Sequence, residues 1–127
     1  MDNFKRMAQS RAKGARGELE ACEALGRIGL DCRRTVQYSG KAGTADLACD
    51  RANLHIEVKR TEHFRLYMAL EQALSDRKGE AVPVVMHRPS HKPWVLIMRV
   101  DDVPRFIEEY QRGNTGVPAQ PSAPEAL

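Results

Sequence analysis

Two stretches with few polar residues, 81–87 (AVPVVMH) and 94–100 (WVLIMRV), constrain this chain more than any other feature. A strand with one wet face alternates apolar and polar side chains, so a run without alternation suits a strand covered on both faces. Covering a sheet on both faces calls for helices on either side of it. Three segments can supply them. In 13–28, Ala15, Leu19, Cys22, Leu25 and Ile28 recur every three or four residues and make one apolar stripe. Gly29 follows, where a left-handed cap can stop the helix. In 66–77, Leu66, Ala69, Leu70, Ala73 and Leu74 share a face, and Lys78-Gly79-Glu80 ends the helix. Asp101 and Asp102 are placed to cap a third helix with Pro104 in its first turn, anchored by Phe106, Ile107 and Tyr110.

Residues 32–38 (CRRTVQY) read as a first strand, with Arg33 and Arg34 pointing to opposite faces. The following 39–44 (SGKAGT) is a loop with two glycines and a lysine, and it lacks the residue order of a Walker phosphate loop. It leads to Asp46. Residues 54–59 then alternate: Leu54, Ile56 and Val58 should face a core, and His55, Glu57 and Lys59 should face out. If Arg51 and Ala52 form the turn and Asp50 faces Asn53, antiparallel pairing puts Asp46 opposite Glu57. Facing residues have Cβ atoms roughly 5 Å apart. Carboxylates that close repel unless a proton or cation lies between them, and oxygen ligands of this kind suit Mg²⁺. The plainer alternative is a solvated hairpin on which Glu57 and Lys59 form a weak surface pair. The element order is α-β-β-β-α-β-β-α, which predicts an α/β fold with a mixed central sheet flanked by helices.

The 127 residues divide into a basic arm (1–12), one domain (13–112) and a Pro-, Gly- and Ala-rich tail (113–127) expected to be disordered. A formal charge of +3 permits an anionic partner without requiring one. The three cysteines, Cys22, Cys32 and Cys49, are odd in number and lack C-x-x-C spacing. They indicate neither a disulfide framework nor a zinc site, so a reducing cytoplasm is the expected location. No signal peptide or membrane-spanning run of about 20 apolar residues is present, so no membrane association is expected.

The residues Glu18 (in GARGE), Asp46, Glu57-Val58-Lys59 and Gln72 (in EQA) follow the order of acidic, lysine and glutamine positions that marks a nuclease superfamily. The chain resembles the PD-(D/E)xK nucleases, and among them the small Holliday-junction-resolvase-like and phage endonuclease members, over about residues 13–100. One position departs: the proline usual before the aspartate is Ala45, which shapes backbone and supplies no ligand. Either Glu18 or Glu20 could be the helix-one acid; Glu18 borders the apolar stripe, and its plain alternative is a helix surface charge.

The resemblance implies a restriction-endonuclease-like core and Mg²⁺-dependent hydrolysis of DNA phosphodiester bonds, with Mn²⁺ as a substitute. Asp46, Glu57 and the Val58 carbonyl would hold the metal, which polarises a phosphoryl oxygen and acidifies water. Lys59 would stabilise developing negative charge, Glu18 would support a second metal or a water, and Gln72 would orient the site. Lys13, Arg16, Lys41, Arg60, Arg65, Arg88 and Lys92 are the candidate phosphate contacts. No base-reading motif accompanies them, which favours structure-selective cutting, on branched DNA by a homodimer. The alternative is a catalytically silent nucleic-acid-binding or assembly module of the same fold.

Overall fold

The computed structural model of the chain describes residues 3–35 and 44–116, with α1 side chains from Gly14 onward. The elements are α1 (Asn3–Arg27), β1 (Cys32–Arg34), β2 (Leu47–Cys49), β3 (Ala52–Lys59), α2 (Leu66–Asp76), β4 (Val82–His87), β5 (Val95–Ile97) and α3 (Val103–Gly113), the last preceded by a 3-10 turn at Val100–Asp102. Among the described residues the strands form one five-stranded sheet in the order β1-β2-β3-β4-β5. β3 and β4 run parallel, joined by the α2 crossover, and the other neighbours are antiparallel. The expected α/β architecture, a mixed sheet flanked by helices, is the one adopted.

Strand parity decides what each face meets. Leu54, Ile56, Val82, Val84 and Met86 face α1 and α3, where Ala21, Leu25, Phe106 and Tyr110 pack against them. Val85 faces the other way, against Ala69, Leu70 and Ala73 of α2. Both faces of β4 are thus covered, and its Val82, Val84 and Val85 are fully buried. Burial of side chains this size stabilises by about 1.5–3 kcal/mol each. The 94–100 run behaves differently. Only Val95–Ile97 pairs, at the sheet edge, and Val95 stays exposed.

α1 starts at Asn3, well ahead of the expected start at Lys13, so residues from Asn3 are helical where a separate arm was expected. It ends as expected at Gly29, with φ of 93°. Leu30 N–H donates to Leu25 O and Gly29 N–H to Gly26 O, which satisfies carbonyls the helix leaves open. The buried stripe is rotated from the expected one: Leu19 is 55% exposed, while Ala21 is fully buried. Gly17 accounts for this. A Cβ there would lie 2.8 Å from Arg60 Cβ, so the helix packs on its small residues and turns Leu19 outward.

Other expectations need correcting. Asp102 stands at the start of α3 without capping it; its carboxylate instead takes two hydrogen bonds from Arg99, at 2.7 and 3.0 Å. Ile107 is 48% exposed, leaving Phe106 and Tyr110 as the anchors, with Tyr110 Oη donating to Ile28 O at 2.6 Å. α3 runs through Gly113, and Asn114 bridges to Leu30, so order continues past the expected end at residue 112. The expected disordered tail falls mainly on 117–127, outside the described residues. β1 is described only as Cys32–Arg34, and 36–43 lie outside as well.

Cys32 and Cys49 face each other across β1 and β2 and form a disulfide, contrary to the expectation drawn from their odd number. Cys22 is the remaining thiol. Sequence spacing carried no sign of the pair because strand register alone brings the two together. The disulfide removes the cysteine argument for a reducing compartment. No helix among the described residues is long and apolar enough to cross a membrane.

Candidate active site at the end of the β2–β3 hairpin

The hairpin turn is one residue earlier than expected. Cys49 pairs with Ala52, so Asp50 and Arg51 form the loop, with Arg51 in the left-handed region at φ 67°. Carried on unbroken, this register would set Asp46 against His55. A bulge intervenes. Leu47 pairs with Ile56, so Asn53, Leu54 and His55 of β3 lie against Ala48 alone. A slip of two preserves which face each side chain takes and restores Glu57 to the place opposite Asp46. The Asn53 N–H, displaced from the ladder, donates to Glu109 Oε1 of α3 at 2.7 Å. Glu109 is itself buried.

Past the last β2 pair, Asp46 continues the ladder with both its backbone and its side chain. Its N–H donates to Ile56 O at 2.9 Å, and its Oδ2 accepts the Val58 N–H at 2.8 Å. Thr35 donates through its N–H to Asp46 O at 3.1 Å, which ties β1 to the same point. Within a strand, a residue's N–H and C=O point to the same side, so the Val58 carbonyl faces the Asp46 side of β3.

His55, Glu57 and Lys59 share a strand face as the alternation predicts, but that face is not solvated. His55 and Glu57 are 4% and 3% exposed, because they lie on the side of the sheet that α2 covers. The surface-pair alternative therefore fails for Glu57. His55 Nε2 lies 2.7 Å from Glu57 Oε1. Burial pushes the Glu57 carboxyl above the usual range; the hydrogen bond from His55 opposes that rise, and the Asp46 charge with a direct carboxyl–carboxyl hydrogen bond adds to it. The two acids act on one another across the hairpin, as their facing positions lead one to expect.

Lys59 Nζ donates to Gln72 Oε1 of α2 at 3.2 Å. Glu18 approaches from α1. Its carboxyl is raised by burial first and by the Asp46 charge second, and Arg34, donating to Glu18 Oε2 at 3.3 Å, works against both. Glu20 turns elsewhere, to Arg88 at 2.7 Å. Of the two helix-one acids, Glu18 is the one whose carboxyl feels the Asp46 charge.

The structure thus brings Asp46, Glu57, Lys59 and Gln72 into one neighbourhood, and Glu18 lies within reach of the Asp46 charge. Among the described residues no three His, Cys, Asp or Glu side chains form a group able to hold a metal ion. The acidic donors at the hairpin end are a pair, accompanied by a backbone carbonyl.

The basic candidates separate into groups. Arg16, Arg65 and Lys92 are exposed. Arg60 and Arg88 are instead drawn into an acidic network: Arg88 and Arg60 approach Glu20 at 2.7 and 3.9 Å, and Arg60 approaches Glu62 at 3.6 Å. Lys13 belongs to α1, and Lys41 lies outside the described residues. Two residues were not singled out from sequence, His55 and Glu109. The signal for His55 was its place two before Glu57 in a period-two run. For Glu109 there was none, because its role depends on the bulge.

No family model matches this chain, and no curated protein or solved structure matches it either.

Proposed function

We propose that this chain is a Mg²⁺-dependent nuclease, able to use Mn²⁺, that hydrolyses DNA phosphodiester bonds on a restriction-endonuclease-like core. The observation that carries the reading is that Asp46, held by the Val58 N–H at 2.8 Å, stands opposite Glu57 at the hairpin end, with Lys59 on the same face as Glu57. Two facing carboxyls, one raised by burial and by its neighbour's charge, form a site that a divalent cation relieves. Mg²⁺ commonly takes one or two carboxylates and keeps several waters, so a pair of acids with the Val58 carbonyl fits it.

Hydrolysis joins a water oxygen to phosphorus and breaks one P–O ester bond, leaving a phosphate on one strand end and a hydroxyl on the other. Bound Mg²⁺ supplies charge neutralisation on the phosphoryl oxygen and eases ionisation of the attacking water. Asp46 and Glu57, with the Val58 carbonyl, would hold it. Asp46 is kept in orientation by the Val58 amide. Lys59 presents an ammonium to the charge that builds on the phosphate, and Gln72 holds that ammonium in place. Glu18 adds negative charge within reach of Asp46, which suits a second cation or an ordered water. Arg16, Arg65 and Lys92 offer exposed charge to the DNA backbone, which gives affinity without sequence information. On this reading the substrate is branched DNA and the acting form a homodimer.

The test is incubation of the purified protein with branched, duplex and single-stranded DNA, in Mg²⁺, Mn²⁺ or EDTA. Metal-dependent cutting of at least one substrate is expected, strongest on the branched one. Failure to cut any of them in either metal overturns the reading. A second reading, a silent nucleic-acid-binding module, is favoured by the fact that both acids already have protein partners, Val58 and His55. Salt-sensitive binding without cleavage would select it.

A further inference from the structure

We infer that His55 is a positioning residue for Glu57: its Nε2–H fixes the Glu57 carboxyl so that it can serve as a metal ligand beside Asp46. The inference rests on the metal-dependent reading above and extends it to a residue that neither binds substrate nor carries charge into the reaction. His55 Nε2 is 2.7 Å from Glu57 Oε1, and both side chains are about 96% buried from solvent, their exposure being 4% each. Two residues apart on β3, they share one face of the sheet, so the contact is set by the strand and not by a flexible loop. A buried carboxyl needs its oxygens satisfied, and the Glu57 side chain is only 4% exposed.

The arrangement also solves a geometric problem. Across the hairpin Glu57 faces Asp46, whose carboxylate is held there by the Val58 N–H at 2.8 Å. A glutamate has free rotation about its side-chain bonds and could turn away from a like charge. The imidazole holds Oε1 on the α2 side. Side chains that hydrogen-bond a metal ligand in this way commonly change metal affinity by about 10–100-fold when they are removed. A histidine at this point is costly unless it has such a task, since a Leu or Val would fill the buried face without a polar atom to satisfy.

The test compares His55→Gln, His55→Asn and His55→Leu with the unmodified protein. Glutamine can place an amide N–H near the position of Nε2, whereas asparagine is too short to reach it and leucine has no donor. Mn²⁺ binding is measured without DNA, by electron paramagnetic resonance of the free ion, and the Mg²⁺ concentration giving half-maximal single-turnover cleavage is measured beside it. We expect metal affinity to fall about 10–100-fold in the Leu and Asn variants and to stay within about threefold in the Gln variant. Saturating metal should restore most of the cleavage rate in each. A Leu variant with unchanged Mn²⁺ affinity overturns the inference. If the Leu variant does not fold, equal affinity in the Gln and Asn variants overturns it instead. Unmodified protein that binds Mn²⁺ but cuts no DNA overturns the nuclease reading alone, and the variants' Mn²⁺ affinities still decide the role of His55. Unmodified protein that binds no Mn²⁺ overturns both.

Discussion

The Val58 amide donates to Asp46 Oδ2 at 2.8 Å, so a side chain takes the place that a β2 carbonyl would occupy if the strand continued. The same carboxyl acts on Glu57 across the hairpin. Asp46 therefore has a backbone task and a charge task, and the two can be separated. Asp46→Asn keeps an oxygen to accept the Val58 N–H and loses only the charge. We expect Asp46→Asn and Glu57→Gln each to abolish cleavage while DNA affinity holds or rises, because removing a negative charge lowers repulsion of phosphate. Asp46→Ala should also lose stability, on the order of 1 kcal/mol. Binding titrations, cleavage assays and thermal melts check this. Cleavage by either charge-neutral variant at near the normal rate would show that the metal site lies elsewhere.

Glu109 guards the register. It accepts the Asn53 N–H inside the β3 bulge, and that bulge is what restores Asp46 to its place opposite Glu57. Glu109→Ala removes the acceptor of this part-buried hydrogen bond, at a cost of about 0.5–1.5 kcal/mol. Glu109→Gln retains an acceptor and should cost less. Denaturant melts rank the two. Cleavage should follow the same order at temperatures where both variants are folded, since a loosened bulge misplaces Glu57.

How much of this was legible in the sequence differs from element to element. The mixed sheet with helices on both faces was, because the apolar run of β4 admits few other solutions and the stripe of α2 matches it. The Asp46–Glu57 facing pair was also legible, although the turn expected to produce it was wrong. The loop falls at Asp50-Arg51, and a bulge makes good the difference. Turn chemistry does not reveal a bulge, because the extra residues look like ordinary strand residues until a partner such as Glu109 takes the displaced amide. The alternation of 54–59 was correct in period and wrong in what covers the polar side. One strand's pattern says which side chains go together and not whether a helix lies over them. Leu19 misled for a related reason. Its spacing suits a stripe, but the close approach at Gly17 to Arg60 turns the helix onto its small residues. The Cys32–Cys49 disulfide required the β1–β2 register, which nothing local encodes.

The acidic pair also makes stability depend on pH. Burial, foremost, raises the folded-state pKa of Glu57 and of Glu18. For an acid raised in the folded state, the folded protein holds its proton more tightly than the unfolded chain does. That contribution is complete below the unfolded glutamate pKa of about 4.3 and is lost as pH rises through the folded value. In EDTA the unmodified protein should therefore lose stability relative to Glu57→Gln as pH rises from about 4 to 8. Mg²⁺ should reverse the trend for the unmodified protein, because a cation favours the ionised pair, and leave the variant nearly unmoved. Thermal melts in EDTA and in Mg²⁺ at several pH values decide it. A stability difference that stays flat with pH in EDTA would mean that Glu57 is not perturbed in the folded state.

Lys59 offers the sharpest separation of roles. Its Nζ is held by Gln72 Oε1 at 3.2 Å, on the strand face that also carries Glu57. Arginine keeps a positive charge and stays protonated in proteins, so it can stabilise charge but cannot take a proton. If Lys59 acts through charge, Lys59→Arg retains measurable cleavage and Lys59→Ala loses nearly all of it, a loss on the order of a hundredfold or more. Some loss in the Arg variant is expected from fit, because the guanidinium is larger and flatter than an ammonium. Gln72→Ala should act more mildly than Lys59→Ala, since it frees the ammonium without removing it. The measurement is single-turnover cleavage against pH at saturating Mg²⁺, for the unmodified protein and the Arg variant. A uniformly lower rate with an unchanged profile assigns Lys59 the electrostatic role. A rate step present in the unmodified protein and missing from the variant would assign it proton transfer. An Arg variant that folds and binds Mn²⁺ normally yet cuts nothing would defeat the charge-stabilising role.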